Sequence, residues 1–475
     1  MTRKVTIRRL HTGVPGLDAL LGGGLPEFSF NLVAGAPGSG KTTLAHAIMF
    51  SLANPERRAL FFTVLGEPPL KMLRYQQQFS FFDFRKINNS IRFVNLSADL
   101  LAGNFDLILA RITKEVEGFS PSLVFVDSFR SVVRSGSGAQ NEDLHLQHFI
   151  QRLGVRMASW QATTFLIGGY PSPDTESSPI CTVADGILWL SQSMYRDSMV
   201  RKIQVVKMRG QATHAGLHTF RITDDGVEIF PRTIRPHRST DQVIPAGDRR
   251  LSMGIPELDR MLGGGLPIAY SMLVVGPSGS GKTVLATEFL AEGVRVGEPG
   301  VIAAFEKSPN QLLSHKLNKM IKAGEIGLIN TRSLDMSIDE TVHNLIQAIN
   351  QRQAKRVVID SLSGFELALA PAFRENFRDA LYRMVAILTS MGVTVLMTAE
   401  LEDRYTDLRF SSYGSAFLVD AIIMQRYVII KGCFQRVISV VKIRSSQHSK
   451  EIRSYEIGHD SFKIGEVLTQ LDGLR

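Results

Sequence analysis

The stretch Gly35-Ala-Pro-Gly-Ser-Gly-Lys41-Thr42 returns later in the chain as Gly276-Pro-Ser-Gly-Ser-Gly-Lys282-Thr283. The segment before the first copy, residues 13–26, also returns at the same spacing as residues 254–267, and both segments end in Gly-Gly-Gly-Leu-Pro. A duplication defines the number of domains more firmly than chain length does. The sequence therefore predicts two homologous domains in tandem.

The join between the copies is the stretch 231–251, which contains three prolines among polar residues and shows no helical or strand period. We expect a first domain at 1–230, a linker at 231–251 and a second domain at 252–475. The chain has 475 residues, of which 44% are apolar and 21% charged. This composition excludes a mainly disordered protein and suits two domains with buried cores.

Each copy alternates apolar strands with helical patterns. Phe30–Ala34 and Ser271–Val275 are continuous apolar strands that lead into the glycine-rich stretch, and an Ala- and Leu-rich helical pattern follows. Later apolar runs end in Asp127 and Asp360. Such runs are typical of strands buried on both faces of a parallel sheet. The predicted fold class is α/β, with two tandem domains that each contain a mainly parallel, doubly wound sheet.

The repeated glycine-rich stretch has the pattern GxxxxGK[ST], which is suited to holding phosphate groups. Its glycines let successive backbone N–H groups curl around a phosphate, and the following helix presents its positive N-terminus. The lysine reaches the β- and γ-phosphates, and the Thr hydroxyl binds Mg²⁺. We name residues 35–43 and 276–284 the first and second phosphate loops. The expected nucleotide-binding residues are Gly35, Gly38, Ser39, Gly40, Lys41, Thr42, Thr43, Gly276, Gly279, Ser280, Gly281, Lys282, Thr283 and Val284.

Asp127 and Asp360 are candidate magnesium ligands, together with Thr42 and Thr283. Each aspartate ends a buried strand, and the carboxyl end of a parallel strand faces the crevice where phosphates bind. An aspartate that only caps the next helix is the alternative.

Glu67 and Glu306 are candidate general bases for hydrolysis, which needs a group that aligns and deprotonates water. Both follow an apolar strand between the phosphate loop and the candidate magnesium aspartate. An acidic residue that merely starts a helix is the alternative.

A Lys-x-Arg pair stands on an apolar strand near the end of each copy: Lys207 and Arg209, then Lys442 and Arg444. Alternation puts both members of a pair on one face, where they could meet a phosphate together. If a neighbouring subunit donates the pair, it acts as an arginine finger. An exposed basic strand edge is the alternative.

Several motifs together resemble the KaiC family of RecA-like ATPases in its double-domain form. They are Gly-Gly-Gly-Leu-Pro, the phosphate loops, Val124-Phe-Val-Asp-Ser128, Lys207-Met-Arg-Gly210 and residues 220–231. The resemblance implies a cytoplasmic, regulatory ATPase with ATP and Mg²⁺ as cofactors. It also implies homohexameric rings with ATP between subunits, the Lys-x-Arg pair reaching across, and an unidentified regulatory protein as partner. Thr223 and Asp224 match positions expected near the neighbour's nucleotide.

The chain departs from the family pattern at two places. Where the family has two adjacent glutamates, this chain has Gly66-Glu67 and Glu306-Lys307, so we expect slower hydrolysis in the first domain. The Ser-Thr pair of self-phosphorylating members falls on Ala416-Phe417. The nearby Ser411, Ser412 and Ser415 leave an autokinase with a non-standard site as an alternative. Since the chain stops at Arg475, soon after the last predicted strand, a clock role is not expected.

A nucleic-acid-dependent motor or recombinase is a further alternative, because the same core drives such proteins. The net charge is +9, yet most of the excess lies in residues 1–10 and 231–251. Arg130, Arg134 and the stretch 135–138 could line a ring pore, but the matching residues 361–370 are apolar, which makes nucleic acid an unlikely partner.

Membrane and disulfide-based functions are not expected. The chain has no apolar run of bilayer length and no signal peptide at its start. Its two cysteines, Cys181 and Cys433, are expected to be free thiols in packed positions.

Overall fold

The structure is a computed structural model. It describes residues 7–63, 69–101, 105–127, 142–170, 179–195, 198–232, 249–305, 315–330, 337–369, 371–374, 377–401, 418–430, 432–458 and 461–468. The chain divides into two compact units, Met1–Arg232 and Thr233–Arg475, which we call the first and second domains. Within the described ranges, no helix has the length and apolar character needed to span a bilayer.

The first domain alternates strands and helices along the chain. Its strands are β1 (Arg9–Leu10), β2 (Leu25–Pro26), β3 (Phe30–Gly35), β4 (Ala59–Thr63), β5 (Ile91–Asn95), β6 (Leu123–Asp127), β7 (Thr163–Gly169), β8 (Gly186–Tyr195), β9 (Ser198–Met208), β10 (His218–Thr223) and β11 (Gly226–Phe230). Its helices are α1 (Leu17–Leu20), α2 (Lys41–Leu52), α3 (Pro69–Gln76), α4 (Ser97–Leu101), α5 (Phe105–Phe119), α6 (Glu142–Ser159) and α7 (Pro179–Val183), with a 3-10 turn at Phe84–Lys86.

Nine strands form the main sheet of the first domain, in the order β11-β10-β9-β8-β3-β7-β6-β4-β5. The six strands from β8 to β5 run parallel. Strands β9, β10 and β11 extend this sheet as antiparallel hairpins. The predicted parallel sheet is confirmed, whereas its antiparallel extension was not predicted.

Both faces of this sheet are covered, as a doubly wound fold requires. On β3, the side chains of Phe30, Leu32 and Ala34 join one buried cluster with residues of α5 and α6. Val33 points to the other face and joins a second cluster with α2. This alternation explains why the strand is apolar at every position but Asn31: neither face meets water.

The second domain repeats this order of elements. Its strands are β12 (Arg250–Leu251), β13 (Leu266–Pro267), β14 (Ser271–Gly276), β15 (Gly300–Ala304), β16 (Ile326–Asn330), β17 (Arg356–Asp360), β18 (Thr394–Glu400), β19 (Ala421–Ile430), β20 (Cys433–Ile443), β21 (Ile452–Ile457) and β22 (Phe462–Val467). Its helices are α8 (Pro256–Met261), α9 (Lys282–Arg295), α10 (His315–Lys322), α11 (Ile338–Arg352), α12 (Leu362–Ala368), α13 (Pro371–Arg374) and α14 (Phe377–Ser390).

The main sheet of the second domain has the order β16-β15-β17-β18-β14-β19-β20-β21-β22. Buried clusters again lie on both faces. Arg250 and Leu251, which the sequence assigned to the linker, form β12 and pair with β13. Cys181 is half-buried but Cys433 is exposed, so the expectation of two packed thiols is wrong for Cys433.

Candidate nucleotide sites at the carboxyl ends of the parallel strands

The two phosphate loops have backbone conformations that only glycine adopts readily. Gly40 has φ 95° and Gly281 has φ 90°, both in the left-handed region. A Cβ on Gly40 would lie 2.6 Å from Ile222 Cδ1, and one on Gly281 would lie 2.3 Å from Ile457 Cδ1. Each loop therefore needs glycine here, directly before α2 or α9 begins.

The lysine of each loop turns back onto backbone carbonyls. Lys41 Nζ donates a hydrogen bond to Ala36 O at 2.7 Å. Lys282 Nζ donates to Gly276 O at 2.8 Å and to Pro277 O at 2.9 Å. Burial lowers the pKa of Lys41, and the negative charge of Asp127 opposes this shift. Each ammonium group thus lies within its loop, where it could also meet the negative charge of a phosphate.

Each candidate magnesium threonine is bonded to its candidate aspartate. Thr42 Oγ1 donates to Asp127 Oδ2 at 2.6 Å, and Thr283 Oγ1 donates to Asp360 Oδ2 at 2.7 Å. The helix-cap alternative is wrong for Asp360, because Ser361 caps α12: its Oγ accepts from Gly364 N–H at 3.1 Å. The residues after Asp127 lie outside the described part of the chain.

These residues fit a magnesium-bound nucleoside triphosphate. The loop glycines leave no Cβ in the cradle, the lysine supplies a positive charge, and the paired Thr and Asp supply the oxygen ligands that Mg²⁺ prefers. Ser39 Oγ is buried and has no hydrogen-bond partner among the described residues. Thr43 and Val284 are half-buried in the first turns of α2 and α9.

The Lys-x-Arg pairs lie at the opposite end of each sheet from the phosphate loop of the same domain. Arg209 N–H donates to Asp185 O, and Asp185 N–H donates to Phe30 O, so Arg209 is level with the first residue of β3. The first phosphate loop begins at the last residue of that strand, Gly35. At about 3.3 Å per residue, these levels are about 16 Å apart along the sheet. The second domain repeats this arrangement through Arg444, Asp420 and Ser271.

Both pairs are held by local contacts. Lys207 Nζ donates to Cys181 O at 3.0 Å, and Lys442 Nζ donates to Val419 O at 2.8 Å. Arg209 is ion-paired with Asp185 at 3.2 Å. Burial lowers the pKa of both lysines, and the neighbouring arginine of each pair lowers it further.

The strands that carry the pairs differ from the prediction in one detail. Each lysine lies on its strand, but each arginine follows the strand's last residue, Met208 or Ile443. The outer strands pair with β9 only at Lys202 and Ile203, and with β20 only over Val437–Ser439. The end of each strand that carries the pair thus lies beyond this pairing, and an exposed basic edge stays an alternative.

Thr223 ends β10, and Asp224 begins the turn between β10 and β11. Ile222, the residue before Thr223, faces Gly40, so this turn is beside the phosphate loop of its own domain. The expected proximity to a neighbour's nucleotide stays a prediction.

Several predicted residues lie outside the described part of the chain. They are Glu67, Glu306, Arg130, Arg134, the stretch 135–138, Ser411, Ser412 and Ser415. The stretch 361–370, which the sequence described as an apolar loop unsuited to nucleic acid, is largely α12, with Leu362 and Phe365 buried in the core.

Sequence reasoning missed three polar residues that border the second phosphate loop. Thr398 Oγ1 donates to Asp360 Oδ1. Ser280 Oγ donates to Gln425 Oε1 at 3.0 Å, and Tyr455 OH donates to Ser280 O at 2.5 Å. The matching positions of the first domain hold Ile167, Leu190 and Phe220. A comparison of the two copies, strand by strand, would have found this difference.

Comparisons with known proteins agree with the repeated architecture. A family model described as "ATPase: KaiC" matches residues 10–234 and, a second time, residues 251–468. The chain belongs to the KaiC family. The resemblance predicted from the motifs is thereby confirmed, and with it the assignment as an ATPase with two RecA-like domains.

Named KaiC relatives match over nearly the whole chain. "Circadian clock protein KaiC3" of Synechocystis sp. is 27% identical over 98% of this chain and 94% of its own length. "Circadian clock oscillator protein KaiC" of Picosynechococcus sp. is 28% identical over 96% of this chain and 90% of its own length. The protein of the same name from Rippkaea orientalis is also 28% identical.

Proposed function

We propose that this KaiC-family ATPase is a ring-forming, magnesium-dependent regulatory enzyme that binds ATP between neighbouring subunits. The observation that carries the proposal is the placement of the Lys-x-Arg pairs. They lie at the amino ends of the parallel strands, whereas the phosphate loops lie at the carboxyl ends. A nucleotide on a phosphate loop is therefore out of reach of the pair in its own domain, which supports a pair supplied by another subunit.

Within each site, different residues bind the phosphates, hold the metal ion and stabilise the charge that develops in the reaction. The phosphate loop's backbone N–H groups and Lys41 or Lys282 bind the phosphates. Thr42 with Asp127, and Thr283 with Asp360, hold Mg²⁺, which neutralises charge on the phosphate oxygens when bound. Arg209 or Arg444 of a neighbouring subunit stabilises the charge that develops on the transferred phosphoryl group.

The attacking water needs a base, and we assign that role to Glu306 in the second domain and Glu67 in the first. We propose that Thr223 and Asp224 lie near the nucleotide of a neighbouring subunit, as the family resemblance implies. The names of the relatives refer to a circadian clock. We propose the broader role of a regulator whose nucleotide state changes its shape for a partner protein.

Complementation between two inactive variants tests whether the site is shared. Both variants carry Lys41→Ala, which silences the first phosphate loop. One adds Lys282→Ala and the other adds Arg444→Ala. Each alone is expected to lose ATPase activity. A mixture regains activity, because an intact loop of one subunit can meet the intact arginine of the other.

The control is a mixture of two preparations of the same variant, which should stay inactive. The mass of the particle, measured with and without ATP and Mg²⁺, gives a second readout. A mixture without recovery, together with a single-chain mass under all conditions, would falsify the shared site.

A further inference from the structure

In the second domain, both carboxylate oxygens of the candidate magnesium ligand Asp360 accept a hydrogen bond. Thr283 Oγ1 donates to Oδ2 of Asp360, and Thr398 Oγ1 donates to Oδ1. Thr398 is fully buried, and Asp360 is 8% exposed. The strand register explains the contact, because Ile359 on β17 pairs with Met397 on β18, which places Asp360 beside Thr398.

The first domain has no hydroxyl at this position. Asp127 on β6 pairs in register with Ile167 on β7, and Ile167 is fully buried. Its side chain cannot donate a hydrogen bond. The two candidate magnesium sites therefore share the Thr–Asp pair but differ in the neighbouring strand.

The two domains do not differ at the first residue of β18 and of its counterpart β7. Thr394 begins β18 and its Oγ1 accepts from Ala269 N–H at 3.0 Å. Thr163 begins β7 and its Oγ1 accepts from Phe28 N–H at 2.9 Å. The two strands thus keep an equivalent threonine at the end remote from the phosphate loop and differ at the end beside it.

A hydrogen bond to a ligating carboxylate fixes the direction of its lone pairs. Losing such a partner typically costs about 10- to 100-fold in metal affinity. Because Thr398 is buried and bonded to the oxygen that Thr283 does not use, it can hold Asp360 in one orientation while Thr283 turns toward a metal ion.

We propose that Thr398 is a positioning residue for the metal ion of the second nucleotide site and tightens the binding of Mg²⁺ there. This inference rests on the proposed function, since it assumes that Asp360 serves a nucleotide-bound metal. Thr398 acts through Asp360 and does not itself touch the ion.

The test compares Thr398→Val with Thr394→Val, the same substitution at the other end of the same strand. Both are made in the full chain carrying Lys41→Ala. Mn²⁺ serves as the probe, and its binding is followed by electron paramagnetic resonance in the presence of a non-hydrolysable ATP analogue. Thr398→Val is expected to raise the Mn²⁺ concentration for half-occupancy by about tenfold. Thr394→Val should change it less than about twofold.

The reciprocal variant keeps the inference falsifiable if Thr398→Val fails to fold. Ile167→Thr, in a chain carrying Lys282→Ala, is expected to lower the Mn²⁺ concentration for half-occupancy of the first site. Equal shifts for Thr398→Val and Thr394→Val, or no shift for Ile167→Thr, overturn the inference and leave the proposed function standing. If the parent chain shows no nucleotide-dependent Mn²⁺ binding, the proposed function fails first.

Discussion

At the residue scale, His46 of the first domain shows how burial lowers the pKa of a histidine. It lies on α2, fully buried, with its ring centroid 4.5 Å from that of Phe61 and 6.2 Å from that of Phe93. Burial lowers the pKa of His46 to about 3, against a smaller opposing effect of Gln76.

This shift predicts an acid-sensitive first domain. Above a pH of about 6.5 the histidine is neutral in both the folded and the unfolded chain. As the pH falls below that value, only the unfolded chain takes up the proton, so the free energy of unfolding decreases until the pH reaches about 3. Between pH 6.5 and 5 the loss is at most about 2 kcal/mol.

His46→Leu should remove most of this pH dependence, and His148→Leu, which replaces an exposed histidine on α6, should leave it in place. The chain has two tryptophans, Trp160 and Trp189, and both belong to the first domain. Tryptophan fluorescence during urea unfolding therefore follows that domain alone. Parallel pH profiles for the parent chain and His46→Leu would contradict the prediction.

At the scale of elements, the connection between α3 and β5 in the first domain is longer than that between α10 and β16 in the second. Residues 77–90 separate α3 from β5, whereas only residues 323–325 separate α10 from β16. In the longer segment, Ser80 N–H donates to Asp224 O at 2.9 Å and Ser80 Oγ donates to Asp225 O at 3.0 Å. Phe81 covers Gly226, where an added Cβ would lie 2.9 Å from the ring. The segment thus braces the turn between β10 and β11.

We predict that Phe81→Ala loosens this turn. Phe81 is half-buried and packs against Phe50 and Phe79, so its loss should lower the free energy of unfolding by about 2 kcal/mol, less than for a fully buried phenylalanine. Hydrogen exchange of residues 219–226 should become faster. Phe84→Ala is the control, because Phe84 is 69% exposed. Equal exchange rates in the two variants would show that Phe81 does not brace the turn.

Sequence patterns predicted those elements in which burial or backbone conformation restricts the choice of residue. Strands β3, β6, β14 and β17 were found because they are buried on both faces, and the phosphate loops because each needs glycine at a left-handed position. The strands that carry Lys207 and Lys442 were predicted, but their antiparallel direction was not, because the direction of a strand is defined only by its pairing. Thr398 was missed because a threonine is an ordinary residue for a strand. Its partner, Asp360, is 38 positions away in the chain.

At the scale of the whole molecule, the two nucleotide sites are alike in their loops and unlike in their surroundings. Thr398, Gln425 and Tyr455 make hydrogen bonds around the second site. Ile167, Leu190 and Phe220 fill the matching positions of the first site. A site whose polar groups are held in place before reaction lowers the barrier most effectively. The second domain should therefore hydrolyse ATP faster.

Separate removal of the two loop lysines tests this asymmetry. Lys282→Ala should remove most of the ATPase activity, roughly two thirds or more, and Lys41→Ala the smaller part. The particle mass of each variant must first match that of the parent chain under the same conditions. Equal residual rates would show that the surroundings of the two sites do not determine their activity.

The hairpins that carry Lys207 and Lys442 contain the same irregularity. The register shifts between Ile187 and Leu188 in the first domain, and between Ile422 and Ile423 in the second. One extra residue at the same point of two separate strands is most simply inherited from a single ancestral gene, before it doubled. The basic pair was thus already at the end of the sheet remote from its own loop in that ancestor. If neighbouring subunits share their sites as proposed, that sharing is older than the tandem chain itself.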